Sequence, residues 1–219
     1  MQDPSLHKLF EWLLFLQRPV GNVVQVGANT GQEIPAFERY GVDWAIMIEP
    51  LDEAFGKLSE QARPHPHFIP VQALCSSDEG TKHTFWIASN EGQSSSMMRP
   101  LRHQIEYPRV KFPSAIKLFS TTVDAVVARA VAAHPGLAAV RFDTLMIDVQ
   151  GGELKVLMGA PALLGQVRHV IAEVSDELYE GGPTLEDLQA HLAGFGFRLN
   201  NVRLNREGSG DALFIKPGA

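Results

Sequence analysis

The feature that most constrains this chain is an alternation of short apolar runs with helical stretches, closed by two strand-like runs with no helix between them. Val23-Val24-Gln25-Val26, Trp44 to Ile48, Phe68 to Leu74, Thr144 to Ile147 and His169 to Val174 are the runs. Their β-branched content and continuous apolarity suit strands covered on both faces. Between them the spacing predicts helices from about Gly31, from Asp52 toward Gln61, from Thr122 to about Ala133, from Glu153 to Met158 and from Leu185 to Leu192. Asp52, Thr122 and Thr184 read as their N-caps. Such alternation builds a mainly parallel, doubly wound α/β sheet with right-handed crossovers. Phe197 to Val202 and Ala212 to Ile215 are joined only by a polar loop, so the sheet should end in an antiparallel hairpin. Pro70 places its strand at an edge, because proline donates no ladder hydrogen bond.

Three further segments complete the reading. Residues 5–17 have an apolar stripe at helical spacing and should pack on the body. Thr81 to Ile87 is another strand-like run. Residues 89–119 are proline-punctuated and read as irregular; a loop this long is a candidate substrate lid. At 219 residues the whole chain, 1–219, is expected to form one domain, since single cores grow to about 250 residues.

Nineteen Lys and Arg against 25 Asp and Glu give a net charge of −6, which argues against a nucleic-acid-binding surface. Cys75 is the only cysteine, so no internal disulfide is possible, and its expected role is packing. Met1-Gln2-Asp3-Pro4 lacks the basic region of a secretory signal, and Leu13 to Leu16 is far too short to span a membrane. A cytoplasmic protein without membrane contact is expected.

The chemistry gathers at strand ends. The first strand runs into Val26-Gly27-Ala28-Asn29-Thr30-Gly31, and Glu49 closes the second. Glycines after a first strand let backbone approach a ligand, and an acid about 20 residues later can bind ribose hydroxyls. Nicotinamide and S-adenosylmethionine sites share this plan. A dinucleotide site wants G-x-G-x-x-G, whereas the spacing here is G-x-x-x-G, and the terminal hairpin departs from the parallel dinucleotide-binding sheet. Both differences favour S-adenosylmethionine. Asp148 ends a central strand, followed by Gln150, Gly151, Gly152 and Glu153, the last either a helix-dipole partner or a catalytic acid.

Taken together, Val24 to Gly31, Ile48-Glu49-Pro50, Ala73-Leu74 with Asp78-Glu79-Gly80, Ile147 to Ala160 and Ile171-Ala172-Glu173-Val174 resemble the FkbM family of methyltransferases. Gln150 stands where the family usually has an acid, and Gly152 where it has a bulkier residue. The resemblance implies a seven-stranded class I methyltransferase fold and methylation of a hydroxyl on a small molecule or sugar. It also implies that Gly27, Ala28 and Gly31, with Asn29 in the same turn, hold the methionine part of S-adenosylmethionine. Glu49 would then bind ribose, Ala73, Leu74 and Asp78 would flank adenine, and Asp148 would lie beside the methionine amine and the transferring methyl.

A hydroxyl acceptor benefits from a base, for which Asp148, Glu173 and His103 are the main candidates and His83 a further one. Asp148, Glu153 and Glu173 could together hold Mg²⁺, but clustered acids at such an edge have other uses, and no metal is assigned. His65 and His67 lie among prolines and read as solvated loop residues, and His169 as structural. Arg99, Arg102, Arg109, Lys111 and Lys117 give the lid segment a cationic character, suited to an anionic acceptor. The competing functions are a nicotinamide-dependent oxidoreductase and a non-catalytic S-adenosylmethionine-binding module.

Overall fold

The computed structural model describes residues 4–175, 178–205 and 208–218; Met1 to Asp3, read above for a leader signal, lie outside them. Seven strands form the main sheet: β1 (Asn22–Val26), β2 (Ala45–Glu49), β3 (Phe68–Gln72), β7 (Phe142–Ile147), β8 (His169–Val174), β9 (Arg198–Leu204) and β10 (Gly210–Ile215). Their order is β3-β2-β1-β7-β8-β10-β9. All neighbours from β3 to β8 pair in parallel. β10 runs antiparallel to both β8 and β9, as the missing crossover requires. β3 lies at the edge, which is where Pro70 is tolerated.

Period-two alternation along the strands divides the core between the two faces of the sheet. Val24, Ile46, Leu145, Val170 and Phe214 pack beneath α5 (Val123–Ala133), α6 (Glu153–Met158), α7 (Pro161–Gln166) and α8 (Leu185–Ala193). Val23, Ala45, Met47, Ile171 and Leu213 pack beneath α1 (Pro4–Phe15), α2 (Ile34–Arg39) and α3 (Asp52–Ala62). Thr122 and Thr184 cap α5 and α8 through their side chains, the latter in a capping box with Asp187. Asp52 differs from expectation: Leu51 is the N-cap, and Asp52 is the first helical residue.

Two segments correct the sequence reading. The run from Phe68 does not continue unbroken to Leu74. β3 stops at Gln72, and Leu74–Cys75 (β4) turns into a second sheet of order β4-β6-β5 with β5 (Lys82–Ile87) and β6 (Ser114–Thr121). The region read as irregular up to residue 119 therefore gives way at Ser114 to a strand antiparallel to β5. Inside it lies a single turn of helix, α4 (His103–Glu106).

Candidate active site

Strand order reverses direction between β1 and β7, and ligands of open α/β sheets bind beyond the carboxyl ends at such a switch point. A cavity of about 830 Å³ opens there. Gly27, just past β1, donates to the Ile48 carbonyl at 2.9 Å, and Asp148, just past β7, donates to Val26 at 3.0 Å, so these turns continue the sheet. Only glycine fits at position 27. Its φ is +88°, and a Cβ would sit 1.8 Å from the Asp148 carbonyl oxygen.

Asn29 follows in the left-handed region at φ +42°, which asparagine tolerates, and its own Oδ1 accepts from the Thr30 N–H. That conformation aims the Asn29 N–H at Glu49 Oε2 (3.0 Å), while the Leu51 N–H reaches Glu49 Oε1 (2.9 Å). Glu49 is only 5 % exposed yet lines the cavity. Burial pushes its carboxyl up to about 7, against the lowering effect of the two backbone bonds. Each oxygen keeps a lone pair for a further donor.

The second constellation centres on Gln150, held at φ +59°. Its Nε2 donates to Asp148 Oδ1 (2.8 Å) and to Glu173 Oε2 (2.7 Å), bridging the ends of β7 and β8. Ser96 Oγ donates to its carbonyl at 2.6 Å. The Tyr179 hydroxyl lies 2.9 Å from both the Gln150 Oε1 and the Ser94 carbonyl, and its single proton serves one at a time. Burial, followed by the charges of Asp148 and Glu153, raises the Glu173 carboxyl well above its ordinary range. Glu153 is buried and accepts from the Val149 and Gly151 N–H groups. It therefore holds the turn, and burial pushes it too up to about 7.

His103 is 3 % exposed, in α4, and lines the cavity. Its ring packs against Tyr107, Phe112 and Tyr179 with centroids 4.9, 5.4 and 5.5 Å away, and its Nδ1 is buried without a hydrogen-bond partner. Burial holds its pKa below the ordinary imidazole range, so it is neutral at pH 7.

The structure thus gathers Gly27, Asn29, Glu49, Ala73, Leu74, Asp148, His103 and Glu173 around one cavity. Ala28, Gly31, Asp78 and the further base candidate His83, which faces Asp78 at 3.6 Å, do not line it. Ala28 is fully buried, a Cβ at Gly31 would meet Leu58 and Ile34, and Asp78 accepts from the Ser120 hydroxyl at 2.8 Å. None of Arg99, Arg102, Arg109, Lys111 and Lys117 lines it either; Arg102, for one, pairs with Glu106 within the same turn. Away from the cavity, His67 stacks on Trp44 and pairs with Asp43, His169 meets the Thr144 hydroxyl, and burial pushes the Cys75 thiol up to about 12. Sequence reasoning missed the clamping role of Gln150 and missed Tyr179 altogether. The left-handed Gln150 carries no sequence signal, and Tyr179 reaches the site only through the tertiary fold.

Strand order, antiparallel β10 and a site at the β1/β7 switch point define the class I methyltransferase fold. Solved structures share it. Magnesium protoporphyrin IX methyltransferase from Synechocystis PCC 6803 with bound S-adenosylmethionine has a TM-score of 0.53 at 11 % identity, over 97 % of this chain and 78 % of that one. A putative tRNA (m1A22) methyltransferase from Streptococcus pneumoniae, in complex with S-adenosylmethionine, has a TM-score of 0.52 at 13 % identity, over 99 % and 73 %. No curated protein matches the chain significantly. The family model described as the methyltransferase FkbM domain matches residues 25–199, and the chain belongs to that family. It is an S-adenosylmethionine-dependent methyltransferase. That settles the choice against a nicotinamide oxidoreductase.

The residues present fit this cofactor. A buried carboxylate with free lone pairs suits a ribose diol, Leu74 and Phe85 offer apolar surface for a purine, and the cavity falls within the roughly 300–1,000 Å³ of small-molecule sites.

Proposed function

We propose that the protein transfers a methyl group to a hydroxyl on a small molecule or sugar. The observation that carries this reading is a neutral, buried imidazole, His103, on the same cavity as the strand-end carboxylate Asp148. When bound, S-adenosylmethionine supplies an electrophilic methyl on a cationic sulfur. Gly27 and Asn29 hold its methionine part, Glu49 accepts from the ribose hydroxyls, and Ala73 and Leu74 flank the adenine. Asp148, kept in place by Gln150, faces the positive charge and orients the acceptor.

His103 would take the proton of the acceptor hydroxyl, while the bound cofactor would supply the methyl and keep the electron pair of the bond it gives up. Glu173 is held by Gln150, which bridges it to Asp148, and so serves to position that carboxylate. Segment 89–119 covers the acceptor, with the Leu101 and His103 N–H groups donating to the Leu178 carbonyl. Exclusion of water and in-line positioning can supply about 7–11 kcal/mol of the barrier. The test is mass spectrometry of hydroxylated metabolites and glycans incubated with methyl-labelled cofactor. A labelled methyl ether is expected; label on nitrogen or carbon, or cofactor binding without any transfer, would overturn the reading.

A further inference from the structure

One wall of the cavity has a charge pattern that the methyl-transfer chemistry leaves unused. On either side of Asp148 the strand order sets two halves: β1 and β2, with Gly27 and Glu49, and β8, β10 and β9, with Glu173 and Arg203. Arg203 on β9 and Lys8 on α1, a helix packed against β10, are the only lysine or arginine among the described residues lining the cavity. Neither forms an ion pair among the described residues, although the chain as a whole is acidic and Glu33, Asp148 and Glu173 line the same cavity. Asp211 stands opposite Arg203 in the strand pair.

Local backbone fixes this arrangement. A Cβ at Gly210 would sit 1.8 Å from the Arg203 carbonyl oxygen, so glycine alone lets the hairpin close at that register. The neighbouring Ser209 lines the same wall, and its Oγ is buried with no hydrogen-bond partner. An unpaired buried hydroxyl is costly, and a ligand oxygen on this wall would satisfy it.

We propose that Lys8, Arg203 and the Ser209 hydroxyl bind an anionic group, phosphate or carboxylate, carried by the methyl acceptor. The proposal rests on reading the cavity as a methyl-transfer site. A guanidinium fork and an ammonium lining the same cavity match the oxygens of such a group. The cations expected to play this part, on segment 89–119, face elsewhere. The cofactor brings a carboxylate of its own, so the experiment must separate the two anions.

Phosphorus NMR line widths report inorganic phosphate binding, and calorimetry reports adenosylhomocysteine binding, each to the wild type, Lys8→Gln, Arg203→Gln, Arg203→Lys and Ser209→Ala. Phosphate should bind the wild type with or without adenosylhomocysteine, and lose about tenfold in affinity with each cation removed. Arg203→Lys should keep most of it, and Ser209→Ala should lose a smaller part. Adenosylhomocysteine affinity should stay within about twofold throughout. Equal phosphate binding by the wild type and the Gln variants would overturn the proposal. So would a parallel loss of adenosylhomocysteine, which would give these cations to the cofactor carboxylate. A wild type that binds phosphate in this pattern but no adenosylhomocysteine would leave the anion wall standing and overturn the methyl-transfer reading instead.

Discussion

Asp148 and His103 approach the cavity from opposite constraints. The carboxylate ends a buried strand and is pinned by Gln150, whereas the imidazole is wedged among aromatic rings with one nitrogen unpartnered. If Asp148 faces the sulfonium as proposed, Asp148→Asn removes that charge, and cofactor affinity and turnover should fall together. His103→Ala should lower turnover by about 10²-fold or more while leaving adenosylhomocysteine affinity nearly intact. Turnover measured with a true acceptor across neutral pH checks this, and normal turnover by His103→Ala would pass the base role to Asp148. Both residues were legible in the sequence, Asp148 because it ends an apolar run and His103 as a titratable group in a long connection. Lys8 and Arg203 were not, because nothing local marks a cation 195 positions from another as its neighbour across a cavity.

At the level of elements, segment 89–119 divides into unlike parts. Ser94, Ser95 and Ser96 are buried, and Ser96 exchanges backbone hydrogen bonds with Trp86 (2.7 and 3.0 Å). Residues 104–113 are half-buried or exposed and hold local turns, apart from Lys111, whose carbonyl accepts from the Ser89 N–H and whose N–H donates to Ser89 Oγ. Hydrogen exchange of the free protein should therefore protect the Ser96 amide and leave most amides of 104–113 fast, with slowing there once acceptor and adenosylhomocysteine are bound. Uniform protection of the free segment would count against a lid. The crossovers could be read from apolar runs and caps because β1, β2, β7 and β8 are largely buried, and the hairpin from the missing helix between its strands, although β9 is half-buried or exposed. β6 could not: its first four residues are exposed, so no alternation of polar and apolar side chains betrays it. The break between β3 and β4 escaped for a related reason, since one apolar run serves two sheets.

For the whole molecule, buried carboxyls at the site link stability to pH. Glu49 and Glu153 titrate near 7 in the folded protein instead of near 4.5. Between those values the folded state binds more protons than the unfolded chain. Stability from these groups is thus fully present below pH 4.5 and is lost as pH rises through 7. Each contributes about 3 kcal/mol to that slope, less when the two act together. Glu49→Gln cannot ionise. Urea denaturation should show it gaining on the wild type by a few kcal/mol between pH 5 and pH 8, a trend that a constant difference would refute.

The central claim is that this cavity holds S-adenosylmethionine with Glu49 on the ribose, and calorimetric titration of adenosylhomocysteine tests it most directly. The wild type should bind with micromolar affinity, and folded Glu49→Ala should lose about 1.5–3 kcal/mol, the cost of a hydrogen bond to a charged group. No binding by the wild type, or an affinity that Glu49→Ala leaves unchanged, would contradict it.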